Sequence, residues 1–184
     1  MIIAGIDYSM SSPAICIYDT TLPLAFENMS VFVLNDTKKY QGVHGNITID
    51  PHKLWDTPEQ RYLQIAEWAM DKLNTYSVSQ VQLEGYSMGS SSGLVFNIAE
   101  NTSVLKQKMH SAGIIFETPA PTQVKKAFCG KGNAKKDVMC DAFYEKFNFK
   151  PHNFIGGKPA ASPENDIVDS VANMLMHPFF KDAS

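Results

Sequence analysis

Residues 1–19, MIIAGIDYSMSSPAICIYD, hold two apolar runs separated by a short hydroxyl-rich turn. Ile2, Ile3 and Ile6 are β-branched and suit a strand. The second run, PAICIYD (13–19), reads as a strand turning back beside the first. AFENMSVFVLN (25–35) reads as a third, with apolar and polar residues alternating in its second half. The first strand ends on an acid, Asp7. Asp favours turns, which is one sufficient reason for its place. The other is that a carboxylate at the tip of a buried central strand serves a site.

The chain beyond this meander alternates helices and strands. Residues 36–56 carry turn formers and scattered charges and read as an irregular excursion, with NITID (46–50) a candidate short strand. In TPEQRYLQIAEWAMDKL (57–73), Thr57 is an N-cap, Pro58 fits the first helical position and Gln60 gives a capping-box spacing. Tyr62, Ile65, Ala66, Ala69 and Leu73 recur at helical spacing and form one apolar face. VSQVQLEGY (78–86) is a fourth strand, with Val81 and Leu83 facing one way and Gln82 and Glu84 the other. The hydroxyl-rich stretch that follows, to residue 93, is expected to be mobile. A long helix is predicted from Leu94 to His110, and GIIFETP (113–119) as a fifth strand. Shorter helices are predicted around residues 122–128 and 134–147. A last helix opens at SPENDIVDSVANMLM (162–176), with Ser162 and Pro163 as cap and first-turn signals. This order predicts an α/β three-layer protein, a mixed five-stranded sheet with helices on both faces, in one domain spanning 1–184. It matches the order of the ribonuclease H fold.

Bulk properties exclude several classes. The 184 residues are 44% hydrophobic and 19% charged, ordinary for a globular chain with a proper core. No apolar run approaches the ~20 residues that span a bilayer, and no basic segment precedes the first apolar stretch, so no secretory leader is expected. Cys16, Cys129 and Cys140 are odd in number and form no CxxC, which reads as reduced thiols rather than a disulfide or zinc framework. A cytoplasmic location is the expectation. The net charge of −3 does not announce a nucleic-acid binder. Its distribution is more telling: Lys125, Lys126, Lys131, Lys135 and Lys136 lie close together in a stretch without acids, an electrostatic footprint for phosphate, although such runs often only solvate a helix face.

Asp7 and Glu84 each stand where an apolar strand meets a loop. If their strands are neighbours, the two acids sit side by side and raise each other's pKa. Asp166 and Asp169, three apart, project from one side of the last helix with Ser170 and Asn173, while Val168, Val171, Ala172 and Leu175 fill the opposite side. Singly, each acid reads as a turn former, a strand end or a solvated face. Jointly, four carboxylates supply the hard oxygen ligands that suit Mg²⁺ or Mn²⁺, and no His or Cys accompanies them at zinc spacing. Two ions roughly 3.5–4 Å apart could clamp a phosphate for in-line displacement.

Four segments resemble the RuvC-type Holliday junction resolvases, a family also carried by some bacteriophages. They are GIDYSMSSPAICIYD (5–19), VQLEGY (81–86), PTQVKKAFCGKGNAKKDVM (121–139) and ENDIVDSVANMLMH (164–177), in the family's order across nearly the whole chain. The third, with Gly130-Lys131-Gly132, is the most specific. The resemblance implies a Mg²⁺-dependent endonuclease that nicks four-way DNA symmetrically, leaving 5′-phosphate and 3′-hydroxyl ends, with two ions per site and no small-molecule cofactor. Mn²⁺ would substitute for Mg²⁺. It implies Asp7, Glu84, Asp166 and Asp169 as metal-binding catalytic acids, and Lys125 and Lys136 as lysines near the scissile phosphate. Lys126, Lys131 and Lys135 would position the DNA backbone. It further implies a homodimer, paired through the helix from Leu94, acting in the cytoplasm, that of a bacterial host for a phage member.

The chain departs from the family in two places. Many bacterial members follow the first Asp with Pro-Gly, where this chain has Tyr8-Ser9. They also place a base-stacking Phe where this chain has Ser87, leaving Tyr86, Met88 and Phe96 as candidate wedges. Alternatives to junction resolution are another ribonuclease H-fold nuclease acting on RNA–DNA hybrids or branched DNA, and an inactive junction binder. An actin- or sugar-kinase-type ATP site would need a glycine-bearing phosphate turn after Asp7, and YSMSS has none.

Overall fold

A computed structural model describes residues 1–86 and 92–180. Strands β1 (Ile2–Asp7), β2 (Ala14–Asp19) and β3 (Met29–Leu34) form the expected antiparallel meander. β4 (Gly42–His44) and β5 (Ile47–Asp50) form a hairpin, and β5 runs parallel to β3. β6 (Gln80–Leu83) and β7 (Ile115–Glu117) extend the other edge in parallel with β1. The sheet order is β4-β5-β3-β2-β1-β6-β7.

Seven strands therefore replace the expected five. The additional pair falls in residues 36–56, where β5 matches the candidate strand at 46–50, while β4 has only three residues and its Val43 is exposed. Only Ile47 and Ile49 bury side chains in β5. A period-2 signal of two residues is too short to stand out from its surroundings.

Helix α1 (Pro58–Thr75) starts as predicted, with the Thr57 hydroxyl accepting from the Gln60 N–H at 3.3 Å. Helices α2 (Ser92–Ser111), α3 (Pro121–Cys129), α4 (Lys136–Phe147), α5 (Pro151–Ile155) and α6 (Glu164–Met174) complete the chain. The α6 start differs from expectation. Pro163, not Ser162, is the residue before the helix, with no side-chain cap, because the Ser162 hydroxyl is committed to Asp166.

The strand period divides the interior into two cores. Ile3, Cys16, Val31, Val33 and Ile49 face α3, α4 and α6. Ala4, Ile6, Ile15, Phe32, Val81 and Leu83 face α1 and α2. Three layers result. Where α6 crosses β1 the backbones nearly touch: a Cβ on Gly5 would lie 2.0 Å from the Met174 nitrogen and 2.3 Å from the Ser170 oxygen. No helix among the described residues is long and apolar enough to cross a membrane.

Candidate active site

The same period aims the acids. Ile3 and Gly5 face α6, so Asp7, two residues on, faces it too. Val81 and Leu83 face α1 and α2, so Glu84 turns to the α6 side. β1 and β6 pair in parallel with Ile6 opposite Leu83, and the Glu84 N–H donates to the Ile6 carbonyl at 2.9 Å. The next residues along each strand, Asp7 and Glu84, are thereby neighbours. The first two turns of α6 bring Asp166 and Asp169 to the same place. Contrary to a solvated helix face, Asp166 is only 7% exposed, and Ser170 and Asn173 are fully buried.

The electrostatics show one cluster. Burial raises the Asp7 carboxyl well above its usual range, and Glu84, Asp169 and Asp166 raise it further. A hydrogen bond between the Asp7 and Glu84 carboxyls adds to the rise at Asp7 and opposes the rise that burial causes at Glu84. Burial, then Glu84 and Asp166, push Asp169 up to about 7. Asp166 is raised by burial against four opposing influences: hydrogen bonds from Ser162, Ser12 and Asn165, and the charge of Lys136. Lys125 tempers Glu84 and Asp169, and Lys136 also tempers Asp169. Two lysines thus act on a group of four acids whose charged forms are penalised by burial.

A polar brace holds Asp166. Ser162 Oγ donates to its Oδ2 at 2.5 Å, and Asn165 Nδ2 to its Oδ1 at 2.7 Å. Ser12 Oγ lies within hydrogen-bond distance of Ser162 Oγ at 3.1 Å, and Asn35 Nδ2 reaches both Ser162 Oγ and Ser12 Oγ. Next door, Glu164 is fully buried and accepts from Tyr144 Oη (2.8 Å), the Ala160 N–H (2.7 Å) and the His152 N–H (3.1 Å), with His152 Nδ1 at 2.6 Å. Ser162 read in sequence only as a helix cap, and its partners Ser12 and Asn35 carried no signal, because polar side chains far apart in the chain form a network only once folded.

A cleft of about 490 Å³ opens over the acids, lined by Asp7, Tyr8, Glu84, Tyr86, Arg61 and Lys125 among others. Tyr86 is 40% exposed at its edge, with Lys106 Nζ 4.8 Å from its ring centre. Lys126, Lys131, Lys135 and Lys136 are exposed on α3, α4 and the turn between them. Gly130 closes α3 in the left-handed region at φ +80, and a Cβ on Gly132 would meet the Thr122 carbonyl oxygen at 3.0 Å, so both glycines shape that turn. Phe96 on α2 is 71% exposed. Met88, Ser87 and most of the stretch expected to be mobile lie outside the described residues. So does no acid of the cluster.

The donor set suits a hard divalent cation: carboxylates alone, desolvated and mutually repelling, so that a cation removes the repulsion. Among the described residues no three His, Cys, Asp or Glu side chains are drawn together around one point as bound ligands would be. The acids are held as a repelling group rather than a closed cage.

The sheet order and the position of the acids define an α/β protein of ribonuclease H-like fold. Within that class, solved structures it resembles include Holliday junction resolvases. RuvC of Thermus thermophilus matches with a TM-score of 0.64 at 18% identity, over 100% of this chain and 96% of that one. The T. thermophilus RuvC in complex with Holliday junction substrate matches with a TM-score of 0.67 at 18% identity and the same coverage. The yeast mitochondrial Holliday junction resolvase Ydc2 gives 0.60 at 13% identity, over 98% of this chain and 80% of that one. No protein-family model matches the chain, and no curated protein matches it by sequence. At these identities the likeness is one of fold.

Proposed function

We propose that this chain is a divalent-metal-dependent endonuclease that resolves four-way DNA junctions by paired symmetric nicks, leaving 5′-phosphate and 3′-hydroxyl ends. The observation that carries the reading is the electrostatically linked group Asp7, Glu84, Asp166 and Asp169, with Asp7 and Glu84 opening onto a cleft that Lys125 also lines and with the charge of Lys136 acting on Asp166 and Asp169. The likeness in fold to resolvases, one of them in complex with its junction, supports the choice of substrate.

The four carboxylates would hold Mg²⁺ or Mn²⁺, two ions per site. The chemistry such a pair supplies when bound is activation of a water and neutralisation of the leaving 3′ oxygen. The chain's own part is preorganisation. β1 and β6 fix Asp7 and Glu84 on rigid strands, and Ser162 with Asn165 fixes the Asp166 carboxylate, so little reorganisation remains when substrate arrives. Lys125 at the cleft wall offers a compact cation to charge developing on the phosphoryl oxygens, and Lys136 does so from the start of α4. Lys126, Lys131 and Lys135 meet the flanking backbone. Tyr86, at the cleft edge, would meet bases, a role the sequence also proposes for Met88. A homodimer would set two such sites on opposing strands of a two-fold junction.

The test is cleavage of a synthetic four-way junction beside duplex, fork and RNA–DNA hybrid substrates, in Mg²⁺ or Mn²⁺. The expected result is paired cuts in the four-way junction and little in duplex. Preferential cutting of the hybrid would make the chain a different ribonuclease H-fold nuclease. Cutting that survives in Asp7→Asn would remove the acids from the mechanism.

A further inference from the structure

Arg61 is the only arginine among the 16 lysine and arginine residues of the chain. It lies in the first turn of α1 and lines the same cleft as Asp7, Glu84 and Lys125. Its guanidinium is held in a fixed attitude. One terminal nitrogen donates to the Met10 carbonyl at 2.7 Å, and the group lies over the Trp55 ring, 4.3 Å from its centre. That uses one of five N–H donors. The Arg61 Nε–H is buried without a partner among the described residues. No carboxylate of those residues forms an ion pair with Arg61, although two acids line the same cleft. The Tyr8 hydroxyl, on the same wall and 6% exposed as a residue, is likewise enclosed and unpartnered.

A purely structural account covers the bond to Met10, which steadies the turn after Asp7. It does not explain the residue type. A lysine could reach one carbonyl, and this chain uses lysine at every other basic position. What arginine adds is a planar fork that takes two oxygens of one phosphate and stacks on an aromatic face while doing so. Trp55 keeps that plane fixed before any ligand arrives.

We infer that Arg61 is a second backbone contact, gripping a phosphate of the strand laid across Asp7 and Glu84, on the cleft wall formed by α1 rather than the wall that carries Lys125. The inference rests on the reading of the chain as a DNA nuclease and extends it by a residue and a strand path. The strand crosses the acids between two cations on different elements, so the scissile phosphate is held from both sides.

The experiment measures binding of a synthetic four-way junction in Mg²⁺ against salt concentration, in an Asp7→Asn background so that the strand stays intact. Loss of one phosphate contact reduces the slope of log K against log salt by about 1. Arg61→Gln is expected to show that reduction, and Arg61→Lys, which keeps the charge, to retain most of the slope. Weaker binding with an unchanged slope in Arg61→Gln would mean that the side chain only steadies the Met10 turn, and would overturn the inference while leaving the nuclease reading intact. No binding by the parent protein would overturn both. Should Arg61→Gln fail to fold, Arg61→Lys is compared with the parent on junctions carrying single neutral methylphosphonates. One position near the cut should weaken the parent several-fold more than Arg61→Lys. The absence of any such position would overturn the contact.

Discussion

At the scale of single residues, the site is defined by charge held in the wrong place for stability. The four carboxyls titrate above their unfolded values of about 4, Asp169 at about 7, because burial and mutual repulsion penalise their charged forms. The folded state therefore binds more protons than the unfolded one across that interval. The stability this protonation confers is complete below about pH 4 and is lost as pH rises through about 7. The melting temperature of metal-free protein should fall between pH 5 and 8, and Mg²⁺ should raise it more at pH 8 than at pH 5. Asp7→Asn, which removes one repelling charge, should melt no lower than wild type in EDTA at pH 8. A clear drop in that variant would make Asp7 a structural turn residue after all. The brace on Asp166 yields a separate expectation. Ser162→Ala frees Oδ2 of its donor, and loss of such an outer partner weakens metal affinity by about 10–100-fold. Titrating cleavage against Mn²⁺ should show that rise in the metal needed, with Ser162→Thr close to wild type.

Secondary-structure elements place those residues, and the tightest constraint is the crossing of α6 over β1. Gly5 permits a contact in which any Cβ would overlap α6 backbone, and backbone cannot turn aside as a side chain can. Gly5→Ala should destabilise the protein by about 3 kcal/mol or more, at the upper end of overpacking costs, measured by urea unfolding. Activity should fall with it, since α6 carries Asp166 and Asp169. This crossing also shows what the sequence could reveal. Residues 2–7 form an apolar run and residues 80–84 alternate, so the meander and the facing of Glu84 were legible, whereas the side-by-side placement of Asp7 and Glu84 depended on which strands are neighbours. The α1 cap was legible because Thr57 and Gln60 act within one turn. The brace was not, because Ser12, Asn35 and Ser162 come from three separate loops and strand ends. Ser162 misled for the same reason: its hydroxyl has the chemistry of a helix cap, and a tertiary partner, Asp166, takes it. Of the β4–β5 hairpin only β5 was anticipated, as the candidate strand at residues 46–50, and β4 was missed because it has three residues and no buried side chain.

For the molecule as a whole, the proposed junction cleavage raises the question of how one site per chain would produce two cuts. Each chain contains one group of four acids and one cleft above it, and a single such site hydrolyses one phosphodiester at a time. Releasing a four-way junction into two duplexes requires cuts in two opposing strands. A two-fold dimer meets that need, since its axis can coincide with the junction's own. A mixed dimer, one chain wild type and one Asp7→Asn, retains the lysine surface of both chains but only one working group of acids. On a supercoiled plasmid with an extruded cruciform, wild-type protein should produce linear DNA by paired cuts within one binding event. Re-associated mixtures should accumulate nicked circles in proportion to the mixed dimer. If chains act singly, the mixture would instead give the wild-type product ratio at a lower rate, because each active chain would cut and leave irrespective of its neighbour. The ratio of nicked to linear product thus separates a dimer with one site per strand from independent chains, without a structure of the assembly.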